Sequence, residues 1–263
     1  MEEMKKWLSV LTLILLIFGG FFYFRKSTPQ SPPNNVLSAI ETPTAIPTFW
    51  KQSTVIDISG VPIRISWAIV NPEQVELYSN LKEQELSEEI KVNKNCQILV
   101  NGGFYSEEKT HLGLFVSNFE TISKSLQSAT RNGFLWIDSD EIVIIGSNPP
   151  NITPRLGLQS GPLLMQENLP LPLAIKNDEP NRRIVAAVTS DNKLIFLAFY
   201  RDSGDLQGPM LDVLPEIIDL FKKQTGIDIV DAINLDGGSA SVFVSNYDLL
   251  REFAHIGSYF CIE

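Results

Sequence analysis

Short apolar runs at close spacing, beginning near Thr54, leave few folds open to this chain. TVIDI, PIRISWAIV, VELYS, QILVN, LGLFVS, GFLWID and EIVIIG come first, and RIVAAVTS, KLIFLAFY, IVDAIN and ASVFVS follow. They are rich in β-branched and aromatic residues and are separated by Gly, Pro, Asn and Asp, as expected of strands joined by turns. Only two stretches have helical spacing. Residues 84–92 form a short one, and residues 211–225 carry Leu211, Leu214, Ile217, Ile218 and Phe221 on one face and end at Gly226. This pattern predicts an α+β fold: a large mixed, mostly antiparallel β-sheet flanked by a few helices, in a single globular domain over residues 49–263. No internal repeat is visible.

Ahead of this domain lies an uncharged run at residues 7–24, WLSVLTLILLIFGGFFYF, bracketed by Lys5-Lys6 and Arg25-Lys26. Its 18 residues approach the length that spans a bilayer. Residues 1–26 are therefore expected to be a signal anchor inserted in the membrane. The rival is a cleaved signal peptide, but the bulky Phe21-Phe22-Tyr23-Phe24 offers no small-x-small cleavage site. Residues 27–48 hold five prolines among Ser, Thr and Asn, the composition of an extended tether. The expected location is a membrane-anchored, extracytoplasmic domain, periplasmic or extracellular, or a secreted one if the segment is removed.

The balance of charge excludes one class of partner. With 21 Lys+Arg against 31 Asp+Glu, the net charge is −10, unlike a nucleic-acid binder that must neutralise phosphates. Two cysteines, Cys96 and Cys261, and two histidines, His111 and His255, make a four-ligand zinc site improbable. The cysteines either pair, as exported domains allow, or remain as buried thiols. No GxxxxGK[ST], GxGxxG, HExxH or GxSxG motif occurs, so the candidate chemistry rests on Asn, Asp, Arg, Ser and backbone.

Three segments supply candidates. In Ile98-Leu99-Val100-Asn101-Gly102-Gly103-Phe104-Tyr105, an apolar run ends in Asn-Gly-Gly, which is either a hairpin turn or a place where backbone approaches a ligand. In Asp231–Ser241, period-two alternation puts Ile233 and Leu235 on one face and Ala232, Asn234 and Asp236 on the other, just before Gly237-Gly238-Ser239. Asn181-Arg182-Arg183 opens the strand that follows, and an arginine there is either a surface ion pair or a fork for phosphate or carboxylate. Ser160-Gly161-Pro162, His111 and Asp202-Ser203-Gly204-Asp205 are weaker; the aspartates suggest Ca²⁺ as a candidate ion, without the ligand spacing of an EF-hand.

The order NGGFY, HLGLFV, SGPLL, NRRIVAAVTSDNKLIFL, an amphipathic helix and AINLDGGSASVFV resembles the phosphodiester glycosidase family over residues 95–245. The resemblance implies hydrolysis of the bond between a sugar's anomeric carbon and a phosphodiester oxygen. It points to Asp236, Arg183 and Asn101 as catalytic and to Asn234 on sugar hydroxyls. It also implies that Gly102, Gly103, Gly237, Gly238, Ser239, Ser160 and Gly161 bind substrate, with the glycine N–H groups facing the phosphate. The chain departs from the family pattern at Ile184, at Phe199-Tyr200-Arg201-Asp202 and at Gly237-Gly238-Ser239-Ala240-Ser241. Two other functions remain open: a catalytically silent, membrane-tethered phosphoglycan binder, and a metal-dependent phosphodiesterase cutting the other ester bond.

Overall fold

Strands buried on both faces separate two of the three apolar clusters of the described residues. In β12 (Arg183–Thr189) and β13 (Leu194–Tyr200), Ile184, Ala186, Val188, Leu194, Phe196 and Ala198 point into a central cluster, while Val185, Ala187, Ile195, Leu197 and Phe199 point to the opposite face. This is period-two geometry carried through a doubly covered sheet.

The structure, a computed structural model, describes residues 52–202, 206–246 and 248–263. The membrane segment expected at residues 7–24 and the linker at 27–48 lie outside them. Among the described residues, no helix is long and apolar enough to cross a membrane.

Every strand pairing given by these residues is antiparallel, but the strands form three sheets instead of the single large one expected. Numbered along the chain, the first sheet has the order β1 (Gln52–Ile58), β2 (Val61–Val70), β13, β12, β14 (Ile229–Asn234), β10 (Leu163–Gln166), β11 (Leu169–Pro170). The second runs β16 (Leu249–Leu250), β15 (Phe243–Val244), β4 (Ile98–Asn101), β17 (Ser258–Ile262), β3 (Val75–Ser79). The third runs β6 (Glu120–Ser123), β5 (Phe115–Ser117), β9 (Leu156–Ser160), β7 (Gly133–Ile137), β8 (Val143–Gly146). A twisted open sheet rarely extends past about ten strands before it splits or curls. Here the three sheets share the central core: Ile184, Phe196 and Ile233 from the first, Leu77, Val100 and Phe260 from the second, Phe115, Leu135 and Leu158 from the third.

Among the described residues, two α-helices cover the outside. The shorter, α1 (Ser87–Asn93), starts later than expected because Asn80 holds the N–H and carbonyl of Glu85 in a turn. The longer, α2 (Leu214–Thr225), begins with Pro215 in its first turn and stops at Gly226, whose φ of 75° suits glycine. Its buried Leu214, Ile217, Ile218 and Phe221 lie on the outer face of the first sheet, with the Phe221 ring edge-on to Trp67 at 4.9 Å. Cys96 and Cys261 form a disulfide across 165 residues, tying β17 to the segment that enters β4.

Candidate active site

Three neighbouring strand ends build the site. In the first sheet, β12 enters at Arg183, β14 leaves at Asn234 and β10 begins after Pro162. The register, with Val185 opposite Asn234 and Leu163 opposite Ile233, places all three at one edge. The chain beyond β14 is held there by backbone bonds: Leu235 N–H donates to the Ile184 carbonyl at 2.8 Å, and Gly238 N–H to the Arg182 carbonyl at 2.9 Å. Asp236 N–H donates to the Gly102 carbonyl at 3.1 Å, which brings the end of β4 from the second sheet to the same place.

A cleft of about 530 Å³ opens at this edge, lined by Arg131, Arg183, Asn234, Asp236 and Ser239 together with apolar Phe104, Leu206 and Leu211. Asp236 is the titratable group of interest. Its Oδ1 accepts the Gly237 N–H at 2.9 Å, and burial pushes its pKa up to about 7, because desolvation of the charged form outweighs that one bond. Asn234 donates through Nδ2 to the carbonyls of Gly161 at 3.0 Å and Leu235 at 2.8 Å, which leaves its Oδ1 buried and without a partner among the described residues. A buried acceptor of this kind is costly unless something supplies a donor.

The arginines divide the work. Arg183 uses Nη2 on Asp178, at 3.0 Å, and on the Glu179 carbonyl, and Nε on the Pro209 carbonyl; its Nη1 makes no hydrogen bond within the described residues. Desolvation lowers its pKa, with Asp178 opposing the shift. Arg131 has a buried Nε without a partner among the described residues.

A sequence model of the phosphodiester glycosidases matches residues 94–259, which contain β4, β12, β14 and every residue just placed. This chain belongs to the phosphodiester glycosidase family. No curated protein matches it. Among the solved structures that match, two share the fold of this family member at low identity. One is the zebrafish N-acetylglucosamine-1-phosphodiester alpha-N-acetylglucosaminidase catalytic domain auto-inhibited by its pro-peptide. It is 17% identical, with 81% of this chain and 83% of that one covered and a TM-score of 0.58. The other is a hypothetical protein from Synechocystis, 14% identical, with 80% and 61% covered and a TM-score of 0.56.

Within this family member the expected residues separate into two layers. Arg183, Asn234, Asp236, Gly161, Gly237, Gly238 and Ser239 line the cleft. Asn101, Gly102, Gly103 and Ser160 lie beneath it. Asn101, 1% exposed, donates from Nδ2 to the Asp236 carbonyl at 2.8 Å and accepts the Val242 N–H on Oδ1 at 2.8 Å, so its amide clamps the loop after β14 and does not face the cleft. Ser160 Oγ donates to the Asn234 carbonyl at 2.7 Å.

The glycine N–H groups expected to face phosphate are already engaged. Gly102 and Gly103 donate to the carbonyl and Oγ of Ser258, Gly237 to Asp236, and Gly238 to Arg182. These glycines serve close approach: a Cβ on Gly102 would sit 2.4 Å from Ser258 Oγ, and one on Gly237 2.9 Å from the Arg182 carbonyl. In this loop it is Ser239 whose N–H and hydroxyl make no hydrogen bond within the described residues. Arg131 was not expected at the site, and Phe104 and Asn181, which also line it, were given no role there. Phe104 and Asn181 adjoin flagged residues, whereas nothing in the sequence around Arg131 marks it.

Of the weaker candidates, Gly161 lines the cleft, whereas His111 and Asp202 are engaged elsewhere in the protein. The His111 ring stacks on Phe115, its Nε2 meets Ser79 Oγ at 2.9 Å, and burial lowers its pKa to about 4. Asp202 is taken up by an ion pair with Arg64, residues 203–205 lie outside the described residues, and among the described residues no three His, Cys, Asp or Glu side chains cluster as a metal site would require.

Proposed function

We propose that this protein hydrolyses a glycosyl phosphodiester, breaking the bond between the sugar's anomeric carbon and the phosphate oxygen. The observation that carries this reading is a carboxyl with a pKa near 7, Asp236, in one cleft with the guanidinium groups of Arg183 and Arg131. A phosphate monoester leaves as a stable anion, so the reaction needs less acid assistance than an ordinary glycoside and more donors placed on the departing oxygens. Arg183 Nη1, the guanidinium of Arg131 and the Ser239 N–H supply those donors. Ionised Asp236 faces the anomeric carbon and takes the proton of the attacking water as the C–O pair leaves with the phosphate. Asn234 Oδ1 accepts from a sugar donor, while Asn101, Ser160 and the glycines hold the loops in place. Family membership and the fold shared with the zebrafish enzyme, whose name states its phosphodiester substrate, support the reaction class.

An extracytoplasmic location, with residues 7–24 as anchor, is part of the proposal. It is supported by the apolar run in the sequence and by the Cys96–Cys261 disulfide, a bond that persists in oxidising compartments.

The test is release of free sugar from a panel of glycosyl 1-phosphodiesters by the full chain and its Asp236→Asn variant. A fall in kcat of about 10²-fold or more, roughly 3 kcal/mol of transition-state stabilisation, with no loss of thermal stability is expected. Binding without turnover of any member of the panel would replace the enzyme with a phosphoglycan-binding protein.

A further inference from the structure

Tyr78 on β3 and Tyr259 on β17 stand opposite each other at the edge of the second sheet, paired by the register, with ring centroids 5.5 Å apart. Beside them opens a cavity of about 450 Å³ that shares no residue with the cleft around Asp236. Glu83, Glu85, Asn93 and Lys94 complete its polar wall. We propose that this cavity is a second binding site, and that it takes a small organic cation carrying a primary ammonium group.

Tyr259 is the residue that points to a ligand. It is 3% exposed, yet its hydroxyl makes no hydrogen bond within the described residues. A buried hydroxyl left in this way is costly unless a bound group completes it. Burial, with the neighbouring Glu85, Tyr78 and Glu83, pushes its pKa up to about 12, so it meets the cavity as a neutral phenol able to accept an N–H.

The charges of the wall select the ligand. Glu85 accepts the Asn93 Nδ2 on Oε1 at 3.0 Å, while its Oε2 and the whole carboxylate of Glu83 make no bond within the described residues. Against these two negative charges the wall carries one ammonium, Lys94, which makes no ion pair within the described residues and lies 4.5 Å from the centre of the Tyr78 ring. The surplus is one negative charge and a set of acceptors without donors, which a primary ammonium answers with one positive charge and N–H groups. An anion would meet two carboxylates. A metal ion would lack ligands, because no third His, Cys, Asp or Glu joins the pair among the described residues.

The cavity is also preformed. Asn80, 1% exposed, donates from Nδ2 to the carbonyls of Glu85 at 3.0 Å and Ile256 at 3.1 Å, and accepts the Glu85 N–H on Oδ1 at 3.1 Å. One buried amide thus fixes the turn that carries both glutamates, and a rigid wall lowers the ordering cost of binding.

The experiment is a ligand-observed NMR titration of the full chain near neutral pH and at low ionic strength, with ethanolamine and its neutral isostere ethylene glycol. Ethanolamine should bind about 10-fold tighter or more. Glu83→Gln and Tyr259→Phe, which break no hydrogen bond within the described residues, should each weaken ethanolamine by about 3-fold or more, whereas Lys94→Met, which removes the opposing charge, should strengthen it by about 2-fold or more. Equal affinities for the two probes, or an ethanolamine affinity unmoved by both Glu83→Gln and Tyr259→Phe, would overturn the site. Weaker binding in Lys94→Met would also overturn it, since the ligand would then need an anionic group. Loss of ethanolamine binding in Asp236→Asn, with Glu83→Gln unaffected, would place the cation in the main cleft and overturn it as well.

Discussion

Burying a carboxyl penalises its charged form, and at Asp236 that penalty couples folding to pH. Its folded pKa is raised to about 7 from an ordinary value near 3.8, so its contribution to stability is fully present below the unfolded pKa and is lost as pH rises through the folded one. Asp236→Asn keeps an acceptor for the Gly237 N–H but carries no charge. The variant should match the wild type at about pH 4 and become the more stable by a few kcal/mol above pH 7, as read by urea denaturation across pH. A constant difference would mean that Asp236 is not desolvated. With Asp236 acting ionised, kcat/KM should rise with pH through a limb near 7; a fall through the same range would make it an acid. Arg183 cannot isolate phosphate binding so cleanly, since removing it leaves Asp178, 7% exposed, as a buried unpaired charge at a cost of about 3–5 kcal/mol. Arg131 can, because its guanidinium makes no ion pair or hydrogen bond among the described residues. Arg131→Ala should raise KM by 10-fold or more while stability stays within about 0.5 kcal/mol; unfolding without a change in KM would remove it from the site. Period-two alternation made the pairing of Asn234 and Asp236 legible from the sequence, because both residues belong to one strand end. Arg131 was not legible, because Gln159, 28 residues further on, sets where its loop runs.

At the scale of elements, amphipathic spacing located α2 to within a turn, and the apolar face read from it is the face that is buried. Phe221 is fully buried against Trp67, so Phe221→Ala should cost about 3–5 kcal/mol by leaving a cavity on the outer face of the first sheet, with kcat preserved at temperatures where the variant is folded. A cost below 1 kcal/mol in a denaturant titration would mean that α2 contributes little to holding β1, β2 and β13. Three interior strands, β9, β10 and β17, escaped the sequence reading, and two of them show why. β17, SYFCI, occupies an interior position of the second sheet, and β9, LGLQS, an interior position of the third. Both are buried at every position, so neither shows the alternation that marks a half-buried strand, and Gly157 and Gln159 further dilute β9. The division into three sheets was hidden for a related reason: alternation reports which face of a strand is covered, but not which strand lies beside it.

For the whole molecule, the question is what holds three sheets around one core while a cleft stays open at the edge of one of them. The shared cluster supplies the apolar contacts, and the Cys96–Cys261 bond closes a 165-residue loop that spans β4, β12 and β14. In the chain-entropy account such a closure stabilises by roughly 5 kcal/mol. Reduction should therefore lower the urea midpoint markedly; an unchanged midpoint would show that the core alone suffices. The sequence left two thiols or one bridge as equal alternatives, because pairing depends on β17 lying beside β4, a contact between distant segments. The same long-range pairings bring Arg183 and Asp236 to one cleft with Asn101 beneath it, and family resemblance pointed to these three residues where local pattern could not. The central claim is that this converged site breaks the sugar–oxygen bond. Hydrolysis of a glycosyl 1-phosphodiester in ¹⁸O-labelled water, followed by mass spectrometry of both products, tests it most directly. The account predicts that the label enters the anomeric hydroxyl of the released sugar and that Asp236→Asn abolishes its appearance there. Label in the phosphate monoester would mean cleavage of a phosphorus–oxygen bond and would contradict it.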